Sequence, residues 1–205
     1  MKRLLLFALA PVVLLAACAK APTEKVTAAE KAVEEAKTAG APTYLAEDFA
    51  KLDGTLANAK KEIAEQDGKF ALLRDYGKAE QLLASVQTDA GRVATEAAKK
   101  KEEAKQAAVK AQQAAQESVK AAQELVAKAP VGKDRAALEA IKADAEGLTA
   151  SLADVQTALD KEDYLGAQAK AKAIQDKSQA LSAEIESALA KVKGGKGTPA
   201  PKKKS

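Results

Sequence analysis

Histidine and tryptophan are absent from this chain of 205 residues. Cysteine and methionine occur once each, and there are only three tyrosines and three phenylalanines. Each shortage removes a class of protein. Without histidine there is no Ser-His nucleophile and no His-based metal site. The lone cysteine, Cys18, has no intrachain disulfide partner. Six aromatic rings cannot fill a large aromatic core. A phosphate-cradling loop is also missing, because Gly194-Gly195-Lys196-Gly197 lacks the strand and helix that such a loop joins. Finally, the one apolar run, Leu4 to Leu15, is shorter than the roughly 20 residues that span a bilayer and contains Pro11.

What is present is alanine, lysine, glutamate and glutamine, the composition of long helices and coiled coils. Apolar residues recur at steps of three and four in five stretches, and nowhere at a useful length of period two. The expected fold class is therefore all-α: an elongated antiparallel helical bundle or coiled coil with a thin, alanine-rich seam that buries little area per turn. The first seam is Val26, Ala29, Val33 and Ala36, closed by Gly40-Ala41-Pro42. Thr43 is placed to cap the second helix, whose seam is Phe49, Leu52, Leu56, Ala59 and Ile63, ending at Asp67-Gly68.

A third helix is expected from near Phe70 or Arg74, with Tyr76, Ala79, Leu83, Val86, Ala90, Val93 and Ala97 in its seam. The run Lys99-Lys100-Lys101-Glu102-Glu103 removes the apolar face for a turn but contains no breaker. Uninterrupted from Phe70 to Lys128, this helix is about 88 Å long. Pro130-Val131-Gly132 breaks the chain. The fourth seam is Leu138, Ile141, Ala145, Leu148, Leu152, Val155 and Leu159, and the fifth runs from Ala167 to Val192.

The two halves repeat. Asp75-Tyr76 and Asp163-Tyr164 are 88 residues apart, as are Ala41-Pro42 and Ala129-Pro130, and the seam from Ala79 to Val93 falls on that from Ala167 to Leu181. The helix between the landmarks aligns after a one-residue shift, Phe49 on Leu138 and Leu52 on Ile141. The reading is two tandem three-helix units that share one long helix, a connectivity that resembles spectrin-type repeats. The segments expected are a signal peptide at 1–17, a tether at 18–23, helical units at 24–105 and 106–193, and a basic flexible tail at 194–205.

The N-terminal segment has a cationic start, Lys2-Arg3, then the apolar run, then Leu15-Ala16-Ala17-Cys18. This is a secretory signal whose small residues are followed at once by the only cysteine. Leu15, Ala16, Ala17 and Cys18 resemble the lipobox of bacterial lipoproteins. That resemblance implies diacylation of the Cys18 sulfur, cleavage before it and acylation of the new amine. The only cofactor-like groups expected are these acyl chains. Ala19, in place of Asp, points by the same resemblance to the periplasmic face of the outer membrane. A second resemblance covers about Val26 to Gln113. The order Ala39-Gly40-Ala41-Pro42, Tyr44-Leu45-Ala46-Glu47-Asp48, then Asp75-Tyr76 and Ala79 resembles a family of small Ala-rich helical bacterial lipoproteins of unknown function. It implies no activity and no catalytic residues.

Charge is unevenly placed. The formal net charge of +4 falls to +2 without Lys2 and Arg3, and to −4 without Lys191, Lys193, Lys196, Lys202, Lys203 and Lys204. The body is mildly acidic and the end basic, which gives no argument for nucleic acid. Lys193, Lys196, Lys202, Lys203 and Lys204 are candidate contacts for an anionic polymer such as peptidoglycan or lipopolysaccharide. Carboxylate pairs such as Glu34-Glu35, Glu102-Glu103 and Glu162-Asp163 fall in turns or on charged faces, where nothing dries a carboxyl group enough to make it a general acid. Two functional readings follow, neither an enzyme. One is a lipid-anchored periplasmic spacer or tether in the cell envelope. The other is a helical module that docks a protein partner, which an exposed apolar groove along Ala104–Ala129 would favour.

Overall fold

The computed structural model describes residues 20–129 and 135–194, and among them there are six α-helices and no strand. The helices are α1 (Thr23–Thr38), α2 (Ala41–Tyr44), α3 (Ala46–Asp67), α4 (Gly77–Lys128), α5 (Arg135–Asp160) and α6 (Tyr164–Gly194). The chain is an all-α helical bundle made of two compact units, whose boundary falls inside α4 between Ala98 and Lys99. That boundary coincides with the lysine-glutamate run in which the apolar face lapses. α4 itself continues through it as one helix of 52 residues, because alanine, lysine and glutamate are strong helix formers and no glycine or proline stands between Lys99 and Lys128.

Unit one packs α1, α3 and the first part of α4 around Ala29, Val33, Leu52, Leu56, Leu83, Val86 and Val93. α3 lies antiparallel to α4: Glu62 pairs with Lys78 and Asp48 with Arg92. Unit two packs the remainder of α4 with α5 and α6 around Val119, Leu148, Val155, Ile174 and Ile185. There Gln112 donates to Gln156 and Gln123 to Thr149, so α5 descends antiparallel to α4. The seam from Ala104 to Ala129 is the face that packs into this core, with Ala108, Ala115, Val119 and Ala122 buried.

Burial repeats between the halves more closely than sequence does. Tyr76, Ala79, Leu83, Val86, Ala90, Val93 and Ala97 are buried, and so are the seven positions 88 residues later, Tyr164 to Ile185. In the middle helices Leu56, Ala59 and Gln66 correspond to Ala145, Leu148 and Val155 at an offset of 89. In the first helices Ala29, Val33 and Ala36 correspond to Ala115, Val119 and Ala122 at 86. Each helix keeps its own register because a seam tolerates a slip in the connecting turn but not within the helix.

Several boundaries differ from the sequence expectation. Thr43 does not cap α3. It lies inside the one-turn α2, which Gly40 initiates from a left-handed conformation (φ 95°) that a side chain disfavours. α4 starts at Gly77, not near Phe70 or Arg74, so the contiguous helix is about 78 Å long at 1.5 Å per residue. Residues 71–73 form a single 3-10 turn, and Arg74 is extended. The start is fixed locally: an Asp75 carboxylate oxygen accepts the Gly77 N–H at 2.8 Å, and the Gln66 side-chain oxygen accepts the Asp75 N–H at 3.0 Å. Asp163 does the same for α6 through the Gly166 N–H at 3.0 Å. The Pro130-Val131-Gly132 break lies outside the described residues.

Candidate functional site

The expected site residues stand at the two ends of the chain. Leu15, Ala16, Ala17, Cys18, Lys196, Lys202, Lys203 and Lys204 lie outside the described residues, and Lys193 belongs to the last turn of α6. Among the described residues no group of three or more His, Cys, Asp or Glu side chains is arranged to hold a metal. No described helix is long and apolar enough to cross a membrane.

The richest polar cluster is the end of unit one where α3 passes to α4. Gln66 is buried, a polar residue in a seam position that Val155 occupies in unit two. Its amide donates to Glu62 at 3.0 Å and its oxygen accepts from Asp75. Both faces of the amide are therefore satisfied, as a buried amide requires. Glu62 also receives Lys78 at 2.6 Å; its side chain is 11% exposed against 72% for Lys78. The Tyr76 hydroxyl donates to the Asp67 carboxylate. The Arg74 guanidinium donates to the carbonyl oxygens of Lys69 (3.0 Å) and Asp67 (2.9 Å). The turn 68–76 is thus clamped from both sides.

The electrostatics are those of a structural clasp. The hydrogen bond from Lys78, reinforced by that from Gln66, holds the Glu62 carboxyl below its ordinary range. The same pair raises Lys78. The bond to Asp67, with burial, raises the Tyr76 hydroxyl. In unit two Lys101 lowers Glu162 in the same way. Glu62 and Glu162 are both pushed down, opposite to the direction a general acid requires.

The clasp holds apolar side chains outward. Phe70, Leu72 and Leu73 are 71%, 65% and 72% exposed, and they fall within four consecutive residues. Sequence reading placed Phe70 near the start of the third helix, whereas it stands in the turn before α4. The available signal was the Leu72-Leu73 pair, which no single helix face accommodates between Tyr76 and the α3 seam. A concavity of about 520 Å³ lies between α5 and α6 and is lined by Asp144, Gly147, Leu148, Lys177, Leu181 and Glu184. Its mixed charge and open form set no specific chemistry.

The beginning of the described chain is at the same end of unit one as the turn. Lys25, in the first turn of α1, pairs with Glu80 in the first turn of α4 at 2.7 Å, and its carbonyl accepts from Gln87. Pro22 is buried and Lys20, the first described residue, is exposed at this end.

Comparison with protein-family models, curated proteins and solved structures yields no match for this chain.

Proposed function

We propose that this protein is a lipid-anchored helical spacer or tether of a bacterial cell envelope. It is held at the periplasmic face of the outer membrane by acyl chains on Cys18 and touches an anionic polymer, peptidoglycan or lipopolysaccharide, through Lys193, Lys196, Lys202, Lys203 and Lys204. The observation that carries this reading is the order Lys2-Arg3, apolar run, Leu15-Ala16-Ala17-Cys18, with the only cysteine of the chain at the lipobox position. Three acyl chains supply many methylenes at about 0.8 kcal/mol each, enough for a lasting anchor. Two features of the fold support a spacer. The described chain leaves unit one at one end, as a tether requires, and α4 carries one continuous backbone from unit one into unit two. The docking-module alternative loses the feature that favoured it, since the Ala104–Ala129 seam is engaged in the core of unit two.

The test is Cys18→Ser. Loss of palmitate incorporation together with release from the membrane, or retention of the uncleaved chain, supports the anchor. Cleavage with continued membrane attachment refutes it. Crosslinking in intact envelopes then separates the roles: peptidoglycan fragments on the wild-type chain, lost on truncation after Val192, support the tether, and a single dominant protein adduct supports the docking module.

A further inference from the structure

We infer that the turn 68–76 is a second, non-covalent lipid contact, in which Phe70, Leu72 and Leu73 enter the same membrane leaflet as the anchor. The inference rests on the anchor reading for the identity of the surface; the geometry of the turn is independent of it.

The first ground is that these side chains are not needed to make the turn. Unit two joins α5 to α6 through Lys161, Glu162 and Asp163 alone, a turn with no apolar side chain. The second is that the turn is not a loose loop whose apolar groups point outward by accident. Arg74 bonds the Lys69 carbonyl within it and the Asp67 carbonyl at the end of α3, the Leu73 N–H donates to the Phe70 carbonyl at 2.8 Å, and Gln66 and Tyr76 fix its far end. Three large apolar side chains are held in water by a built framework. Exposed clusters of this kind mark contact surfaces, whereas single exposed residues do not.

The third ground selects the occupant. The turn and the outgoing chain share one end of unit one, as the Lys25–Glu80 pair requires. Cys18 precedes Lys20 by two residues, a stretch that reaches at most about 7 Å. Whatever leaflet receives the acyl chains is therefore within reach of this end. The rim carries Lys20 and Lys69 as exposed cations among carboxylates most of which are engaged: Asp67 at the end of α3 by Tyr76, Asp75 by the Gly77 N–H and Glu65 by Lys61, with Glu24 exposed in the first turn of α1. Lysines beside an apolar insertion extend toward headgroups. The contact orients unit one on the membrane, which attachment at a single residue does not.

The experiment uses the full acylated chain carrying Leu72→Cys. It is labelled with an environment-sensitive fluorophore, located to position 72 by peptide mass, and reconstituted into vesicles of phosphatidylethanolamine, phosphatidylglycerol and doxyl-labelled phosphatidylcholine. The control is Thr43→Cys, exposed in α2 at the other end of α3, about 33 Å away along that helix. The expected result is strong quenching at position 72, little at position 43, and loss of the difference when Phe70→Ser and Leu73→Ser are added. Both are exposed positions, so unchanged helicity accompanies that loss. Equal quenching at 72 and 43 overturns the inference, as does a probe at 72 shielded by a second copy or a protein and not by lipid. Palmitate incorporation is read on the same preparation. Its absence removes the anchor reading, and the quenching still decides the turn by itself.

Discussion

Leu83→Ala is the sharpest probe of how this bundle is held together. Leu83 is fully buried, the largest such side chain in the described chain, and it sits where α4 meets α1 and α3. Truncation removes three carbons, about 2.4 kcal/mol at about 0.8 kcal/mol per methylene. The void left behind adds to this. The core of unit one around it is rich in alanine, with Ala29, Ala36, Ala59 and Ala90 among its buried residues, and their methyl groups have no rotamer with which to fill a void. The cost should therefore lie above the transfer value, at about 3–4 kcal/mol. The reciprocal change tests the same seam in unit two. Ala171 stands 88 residues after Leu83 and is also fully buried, so Ala171→Leu has no room and should cost about 1–3 kcal/mol through overpacking. Urea denaturation followed by far-ultraviolet circular dichroism, on the chain beginning at Lys20, measures both. A Leu83→Ala cost below about 1 kcal/mol, or a neutral Ala171→Leu, would refute the argument that alanine seams are closely packed and unable to relax.

Gly91 has open space where a Cβ would stand, so Gly91→Ala should stabilise by up to about 1 kcal/mol; a Cβ at Gly166 would overlap the Asp163 carboxylate that caps α6, so Gly166→Ala should lose the cap at a cost of about 1 kcal/mol in the same denaturation assay. The Glu62 carboxyl is held below its ordinary value of 4.5, chiefly by Lys78; the stability it adds is complete above that value and is lost as pH falls through its lowered one. Urea midpoints of wild type and Glu62→Gln should therefore converge as pH falls below about 4.5, and a constant gap from neutral to acid pH would contradict the assignment. Gln66→Ala leaves the Asp75 N–H without its acceptor, at a cost of about 1 kcal/mol. Faster hydrogen exchange at that amide, with unchanged exchange in α1, is the expected signature.

Most of the fold is legible in the sequence because a helix is a local object. The step of three and four in Leu138, Ile141, Ala145 and Leu148 needs no knowledge of partners to define a face, and the last three of these are in the core of unit two or packed partly buried against it. The lipobox is local in the same way, a spacing along the chain and not an arrangement in space. Helix ends are less legible. Whether Phe70 continues a seam or stands outside it depends on the Gln66 amide and the Arg74 guanidinium reaching across the turn, and such side-chain bonds leave no periodic trace.

By itself, then, the sequence determined an all-helical chain, its seams and their repetition, because periodicity and breakers act over a few residues. Tertiary structure alone decided the register of the first helices, at an offset of 86, beside the offsets of 88 and 89 already legible in the sequence. It also decided that the Ala104–Ala129 face is spent inside unit two, and that Phe70, Leu72 and Leu73 are held in water at the end of unit one where α1 begins. These outcomes depend on which faces meet after the chain has turned back on itself. Exposure is a property of that meeting, and the same leucine is core or surface according to what stands opposite it.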